Sequence, residues 1–125
     1  MDRKFDLEER TQSMALRIRD YIKALPKTLT NLEYARQLTR SSGSVAANYI
    51  EANEAVSRKD FVLRLRIARK ECKETNYWLR MTEPSEMQAA AQKRLSEEST
   101  ELVRIFSAII ERTIANSARV SNNDQ

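Results

Sequence analysis

Between residues 35 and 56 the small and apolar side chains Ala35, Leu38, Ser42, Val45, Tyr49, Ala52 and Val56 recur at alternating steps of three and four, straight through the only glycine of the chain, Gly43. That spacing is the repeat of one helix face, and a loop at Gly43 would interrupt it. Glycine costs a helix roughly 1 kcal/mol against alanine, so its presence inside the repeat calls for a reason. The sequence suggests one: Gly43 rotates beside Thr39, Ala46, Ala47 and Ile50, flanking the core stripe, where a missing side chain lets another helix approach closely. With one glycine and two prolines in 125 residues, little turn or strand-bend material remains, and the expected fold is all-α in a single domain spanning residues 1–125.

Helix boundaries follow from capping signals and proline. Asp6 and Glu9 form a capping-box-like pair that opens a first helix over residues 6–25, with a stripe of Leu7, Thr11, Met14, Ile18, Tyr21 or Ile22, and Leu25, closed by Pro26. Thr30-Asn31-Leu32-Glu33 opens a second helix over residues 31–56, and Ser57-Arg58-Lys59-Asp60 caps a third over 58–82. The joint between them is so short that they must lie antiparallel. After Thr82-Glu83-Pro84, an irregular stretch at 86–95 leads into a fourth helix, placed over 86–118 and carrying Leu102, Ile105, Phe106, Ile109, Ile110, Thr113 and Ile114. The polar tail, residues 119–125, is expected to be frayed and disordered.

Several functions lack the residues they need. The sequence contains no histidine, the commonest general base and metal ligand, and neither a zinc constellation nor a phosphate-binding glycine loop. Ser41, Ser42 and Ser44 therefore have no visible base. The lone Cys72 falls on a core stripe and reads as a small buried hydrophobe in a reducing compartment. No apolar run approaches a membrane span and the first residues lack a signal-peptide core, which places the protein in the cytoplasm, away from membranes.

Charge is concentrated in one segment. Of 22 basic and 18 acidic residues, the stretch 57–80 holds eight and three, an excess of +5, while the remainder nearly cancels. On the third helix Phe61, Leu65, Ala68, Cys72, Thr75 and Leu79 form the inward stripe. A second apolar strip, Leu63, Ile67 and Trp78, lies roughly 120° away, to be covered either by the fourth helix or by another subunit. Arg64, Glu71 and Glu74 run between the strips, where charges need partners to fix helix or subunit register. The remaining sector gathers Arg58, Lys59, Arg66, Arg69, Lys70, Lys73 and Arg80 around Tyr77, over roughly 33 Å of helix. Such a row is either a solvated face or an electrostatic footprint for nucleic-acid phosphates, which Arg36 and Arg40 on the second helix would extend.

The segment Arg40-Ser41-Ser42-Gly43-Ser44-Val45-Ala46-Ala47-Asn48-Tyr49-Ile50-Glu51-Ala52-Asn53-Glu54-Ala55, with Ser57-Arg58-Lys59-Asp60-Phe61 and the run from Ile67 through Glu71-Cys72-Lys73-Glu74-Thr75-Asn76-Tyr77-Trp78-Leu79, resembles the four-helix-bundle proteins encoded in bacterial 23S ribosomal RNA intervening sequences. Phe5-Asp6-Leu7-Glu8-Glu9-Arg10-Thr11 and Leu25-Pro26 fit the same pattern; the last forty or so residues match only in helical character. The resemblance implies an up-down, left-handed four-helix bundle assembling into a ring, typically a homopentamer. Such proteins are similar to the accessory variability protein of diversity-generating retroelements, a basic pentameric bundle that partners a reverse transcriptase and nucleic acid.

An enzymatic alternative rests on Glu51-x-x-Glu54 and Glu71-x-x-Glu74, a spacing similar to the magnesium site of all-α nucleotide pyrophosphohydrolases. Those sites usually end in aspartate, where this chain has Glu74, and Glu51 and Glu54 rotate away from the core stripe. The sequence therefore points to a non-enzymatic, homo-oligomeric binding or assembly module without cofactor or metal. Its basic face would meet RNA, DNA or a ribonucleoprotein, and the alternative is an accessory scaffold for a reverse transcriptase or another protein. Leu63, Ile67, Trp78, Arg64, Glu71 and Glu74 are its candidate subunit interface.

Overall fold

The computed structural model describes the backbone of residues 3–123 and the side chains of residues 7–120. Among the described residues there are four α-helices and no strand: α1 (Arg3–Lys23), α2 (Leu29–Asn53), α3 (Arg58–Met81) and α4 (Ala89–Asn123), with one 3-10 turn at Glu86–Gln88. Each helix packs against its neighbour in sequence and α4 returns to α1, the adjacency of an up-down four-helix bundle. The most extensive contact is between α2 and α3. No helix is long and apolar enough to cross a membrane among the described residues.

The core follows the helical repeat. Leu7, Met14, Ile18 and Tyr21 of α1, Leu38, Val45, Tyr49 and Ala52 of α2, Leu65, Ala68, Cys72 and Leu79 of α3, and Leu95, Leu102, Phe106 and Ile110 of α4 are all buried. Tyr49 and Phe106 meet across the bundle with ring centroids 5.9 Å apart. Each buried valine, leucine, isoleucine, methionine or phenylalanine among them stabilises the fold by about 1.5–3 kcal/mol relative to full exposure.

Several boundaries differ from the sequence expectation. Helix α1 is already formed at Arg3, so Asp6 lies inside it rather than at its cap, and the Asp6 side chain is outside the described residues. The cap of α2 is Thr28, two residues before the expected Thr30; its side chain accepts from the Asn31 amide at 3.2 Å. Helix α2 ends at Asn53, where the Glu54 amide folds back on Ile50 and Glu51, which leaves Val56 outside the helix and 96% exposed instead of in the core stripe. Ser57 caps α3 as its position suggests, accepting from the Asp60 amide at 3.0 Å. The stretch expected to be irregular is helical from Ala89, and it contributes Leu95 to the core. Helix α4 continues to Asn123, through most of the tail expected to be disordered; residues 124 and 125 lie outside the described residues.

Gly43 also departs from expectation. It sits in α2 with helical neighbours on both sides, but it is exposed, and a Cβ built on it would meet nothing within 4 Å. Within the protomer it is not a close-packing position, because the small residues that face the core are Ser41, Ser42, Ala46 and Ala52 instead.

The connection end that holds the α1–α2 and α3–α4 loops is closed by polar side chains. Buried Asn31 donates through Nδ2 to the Pro26 carbonyl at 2.9 Å and the Glu83 carbonyl at 3.0 Å, and accepts from the Glu83 amide at 2.8 Å. Tyr21 and Thr82 hydroxyls meet at 2.8 Å, and Gln92 donates to the carbonyls of Leu79 and Thr82 at 3.0 Å each. Buried polar groups are tolerated when paired in this way.

Candidate nucleic-acid interface

Two helices flank α3, and their positions decide which of its charges remain free. Thr75 donates to Ser41 of α2 at 3.0 Å on one side; Ser96 of α4 donates to Asn76 at 2.6 Å and the Cys72 thiol to the Ser99 carbonyl at 3.3 Å on the other. The sector between these flanks faces outward. Lys59, Arg66, Lys70, Lys73, Tyr77 and Arg80 follow one another along it at steps of 7, 4, 3, 4 and 3, the spacing of a single helix line, and all six are exposed. None of the five cations forms an ion pair with a carboxylate among the described residues.

The other expected cations divide by location. Arg58 is exposed and donates to the Ser117 hydroxyl of α4 at 3.4 Å, and half-buried Arg69 donates to Ser107 at 3.2 Å, so both belong to the α3–α4 seam at the edge of the row. Arg40 stands elsewhere: its guanidinium donates to Glu71 at 3.2 Å and to Glu74 at 3.0 Å. Glu71 is 7% exposed, and its charge, followed by the bond to Glu74, holds the Arg40 guanidinium above its ordinary pKa. Arg36 is exposed one turn before Arg40 on α2, and no hydrogen bond or ion pair among the described residues ties it to α3. Glu71 and Glu74, expected to need partners that fix helix or subunit register, find one within the protomer in Arg40, itself expected to extend the phosphate-facing cations.

The apolar strip of α3 is likewise divided. Trp78 is half-buried against the core and stacks on Tyr34 of α2 at 6.0 Å, so α2 covers it rather than α4. Leu63 is 53% exposed, Ile67 is half-buried, and half-buried Arg64 has no ion-pair partner among the described residues. Leu63, Val62 and Ile114 line an open groove of about 600 Å³ together with Arg58, Lys59, Asp60 and Arg66. At the far end of α3, a smaller groove brings Arg80 beside Lys93 of α4. Lys93 lies in the stretch at 86–95 expected to be irregular at the start of the fourth helix, and the spacing of Leu95, Leu102 and Phe106 is the signal that fixes its face.

The acidic pairs do not converge. Glu51 and Glu54 are exposed at the end of α2, and among the described residues no three acidic or cysteine side chains cluster as a metal site would require. Cys72 is buried in the core, where desolvation first and the Glu98 charge second push its thiol up to about 12. Such a thiol remains protonated at neutral pH and is a poor nucleophile.

Comparison with known proteins places this geometry. Residues 3–108 match the 23S rRNA-intervening sequence protein family. The chain belongs to that family. A crystal structure from the S23 ribosomal protein family of Bacteroides thetaiotaomicron, described as a protein of unknown function, is similar to this member at 31% identity and a TM-score of 0.70, over 86% of this chain and 97% of that one. Curated proteins give no match. The intervening-sequence family match spans α1 to α3 and part of α4, and so includes the whole basic row.

Proposed function

We propose that this protein is a non-enzymatic binding and assembly module that engages RNA through the outer face of α3. One observation carries the reading: Lys59, Arg66, Lys70, Lys73 and Arg80 line one exposed helix face and share it with no paired carboxylate. Cations left unpaired gain little from folding but bind phosphates by releasing counterions. Membership of a family named for an rRNA intervening sequence agrees with an RNA partner.

Assembly into a homo-oligomeric ring, typically a pentamer in the resemblance noted above, would repeat this face and turn weak contacts into avidity. The outer face of α2 supports it, because exposed Leu32 and Ile50 share that face with the bare positions Gly43 and Ala47. Light scattering at tens of micromolar, roughly the range of weak interfaces, should find a multimer that Gly43→Leu dissociates without loss of helix content. A wild-type monomer would remove the ring from the reading.

RNA binding is tested by titrating ionic strength. Affinity should fall with a logarithmic slope of about −0.7 for each single-strand phosphate contacted. Binding that is insensitive to salt, or absent, overturns the RNA reading in favour of a protein partner such as a reverse transcriptase.

A further inference from the structure

Tyr77 is the one uncharged member of the basic row, and its surroundings fix it there. It is 54% exposed, and its ring lies 4.8 Å from that of Trp78 at 72°. Trp78 is in turn anchored on Tyr34 of α2 at 6.0 Å and against the core. Three rings thus run from the α2–α3 seam outward and end on an aromatic surface open to solvent. Lys73 stands one turn before Tyr77 and Arg80 one turn after it on the same line. The hydroxyl of Tyr77 has no hydrogen-bond partner among the described residues, so the ring is held by packing alone.

Single exposed tyrosines are common on solvated faces, but this ring is packed edge-on against Trp78 and stands in line between two cations. A rigid ring between cations is what an unpaired nucleobase requires, since every base presents a π-face for stacking while its neighbouring phosphates need positive charge. Duplex RNA offers no such base: its bases are stacked internally, its major groove is deep and narrow, and proteins read it through phosphates and 2′-hydroxyls. We infer that Tyr77 is a stacking platform and that the ligand of the basic face is single-stranded RNA, one base resting on Tyr77 while Lys73 and Arg80 hold the flanking phosphates. The inference rests on the RNA reading above and narrows it to a strand type.

Trp78 supplies the readout, being the only tryptophan of the chain and in ring contact with Tyr77. Titration with a short unstructured RNA oligonucleotide should change its fluorescence, and the same oligonucleotide annealed to its complement should bind more weakly and change it less. Tyr77→Ala should weaken single-strand binding by about 5- to 100-fold and leave duplex binding unaltered, while Tyr77→Phe retains the wild-type preference. Because Tyr77 is exposed, both variants should keep the wild-type melting temperature. Equal affinity for strand and duplex, or an alanine variant that binds single strands as tightly as wild type, overturns the stacking inference. If the combined Arg66→Glu, Lys70→Glu and Lys73→Glu variant binds as tightly as wild type, the RNA reading fails with it; if that variant loses binding and Tyr77→Ala does not, only the stacking inference fails.

Discussion

On the α2 side of α3, Glu71 and Glu74 share the guanidinium of Arg40, whereas on the outer side Arg66, Lys70 and Lys73 meet no carboxylate among the described residues. One helix therefore treats charge in two ways. The seam resolves its charges internally, because a buried carboxylate such as Glu71 without a partner would destabilise the fold. The outer row leaves its charges to solvent or to a ligand, since exposed cations need no partner to fold. A charge that folding has already satisfied has less to gain from a ligand, which sets Arg40 apart from the unpaired row even though it is basic and exposed.

The sharpest way to break the comparison is to reverse the outer charges. Arg66→Glu, Lys70→Glu and Lys73→Glu together should lower RNA affinity by more than about 100-fold with no loss of helicity, measured by fluorescence anisotropy and circular dichroism. Retained affinity would mean that the two sides differ only in solvation.

Alkaline titration probes the inner side. Burial raises the Cys72 thiol to about 12 and also raises the Tyr21 hydroxyl, the latter partly offset by its bond to Thr82. Both groups keep their protons longer in the folded chain than in the unfolded one. Their stabilising contribution is therefore complete below the ordinary cysteine value near 9 and declines as pH rises toward 12. Urea melts across that window should lose about 1.4 kcal/mol per pH unit through Cys72, with a further loss through Tyr21 above its ordinary value of 10.0, and Cys72→Ala should flatten the decline. A melt independent of pH over this range would show that the interior is wet.

Arg40→Ala should destabilise the fold by about 1–2 kcal/mol in urea, at the low end of stranding a buried charge because Arg40 itself is half in water. It should leave RNA affinity nearly unchanged. Pairing it with Glu71→Met, which replaces the stranded charge by an apolar chain, should restore most of the stability. The smallest effect concerns Gly43, where alanine should stabilise the protomer by about 0.5–1 kcal/mol, since its Cβ meets nothing and the helix gains propensity.

The helical repeat made most of the fold legible. Leu38, Val45, Tyr49, Leu65, Ala68, Cys72 and Leu79 occupy the core where their spacing puts them, because rotation about a helix axis is a local property. Rotation relative to neighbours is not local. Nothing in the sequence says that Tyr34 lies over Trp78, or that Arg40 reaches Glu71 and Glu74 31 and 34 residues away. For the same reason the repeat does not say that Gly43 faces away from the other helices of its own protomer while Ser42 and Ala46 face the core: a bare helix position looks identical in sequence whether another helix or solvent stands opposite. Among the site residues, the outer row was legible as a face, but which of its cations were free depended on serines of α4 that no pattern on α3 reveals.

Asn31 was read from sequence as part of a helix cap, yet its amide ties the loop after α1 to the loop after α3 through three hydrogen bonds, two of them to Glu83, 52 residues away. This couples the motions of two connections that would otherwise fray independently. The Glu83 amide, although outside any helix, should exchange with deuterium as slowly as core amides do, and the two loops should open together in one cooperative event. In Asn31→Ala, that proton should exchange fast while amides at the α2–α3 joint keep their rates, so that one side chain decides whether this end of the bundle opens as a unit or loop by loop.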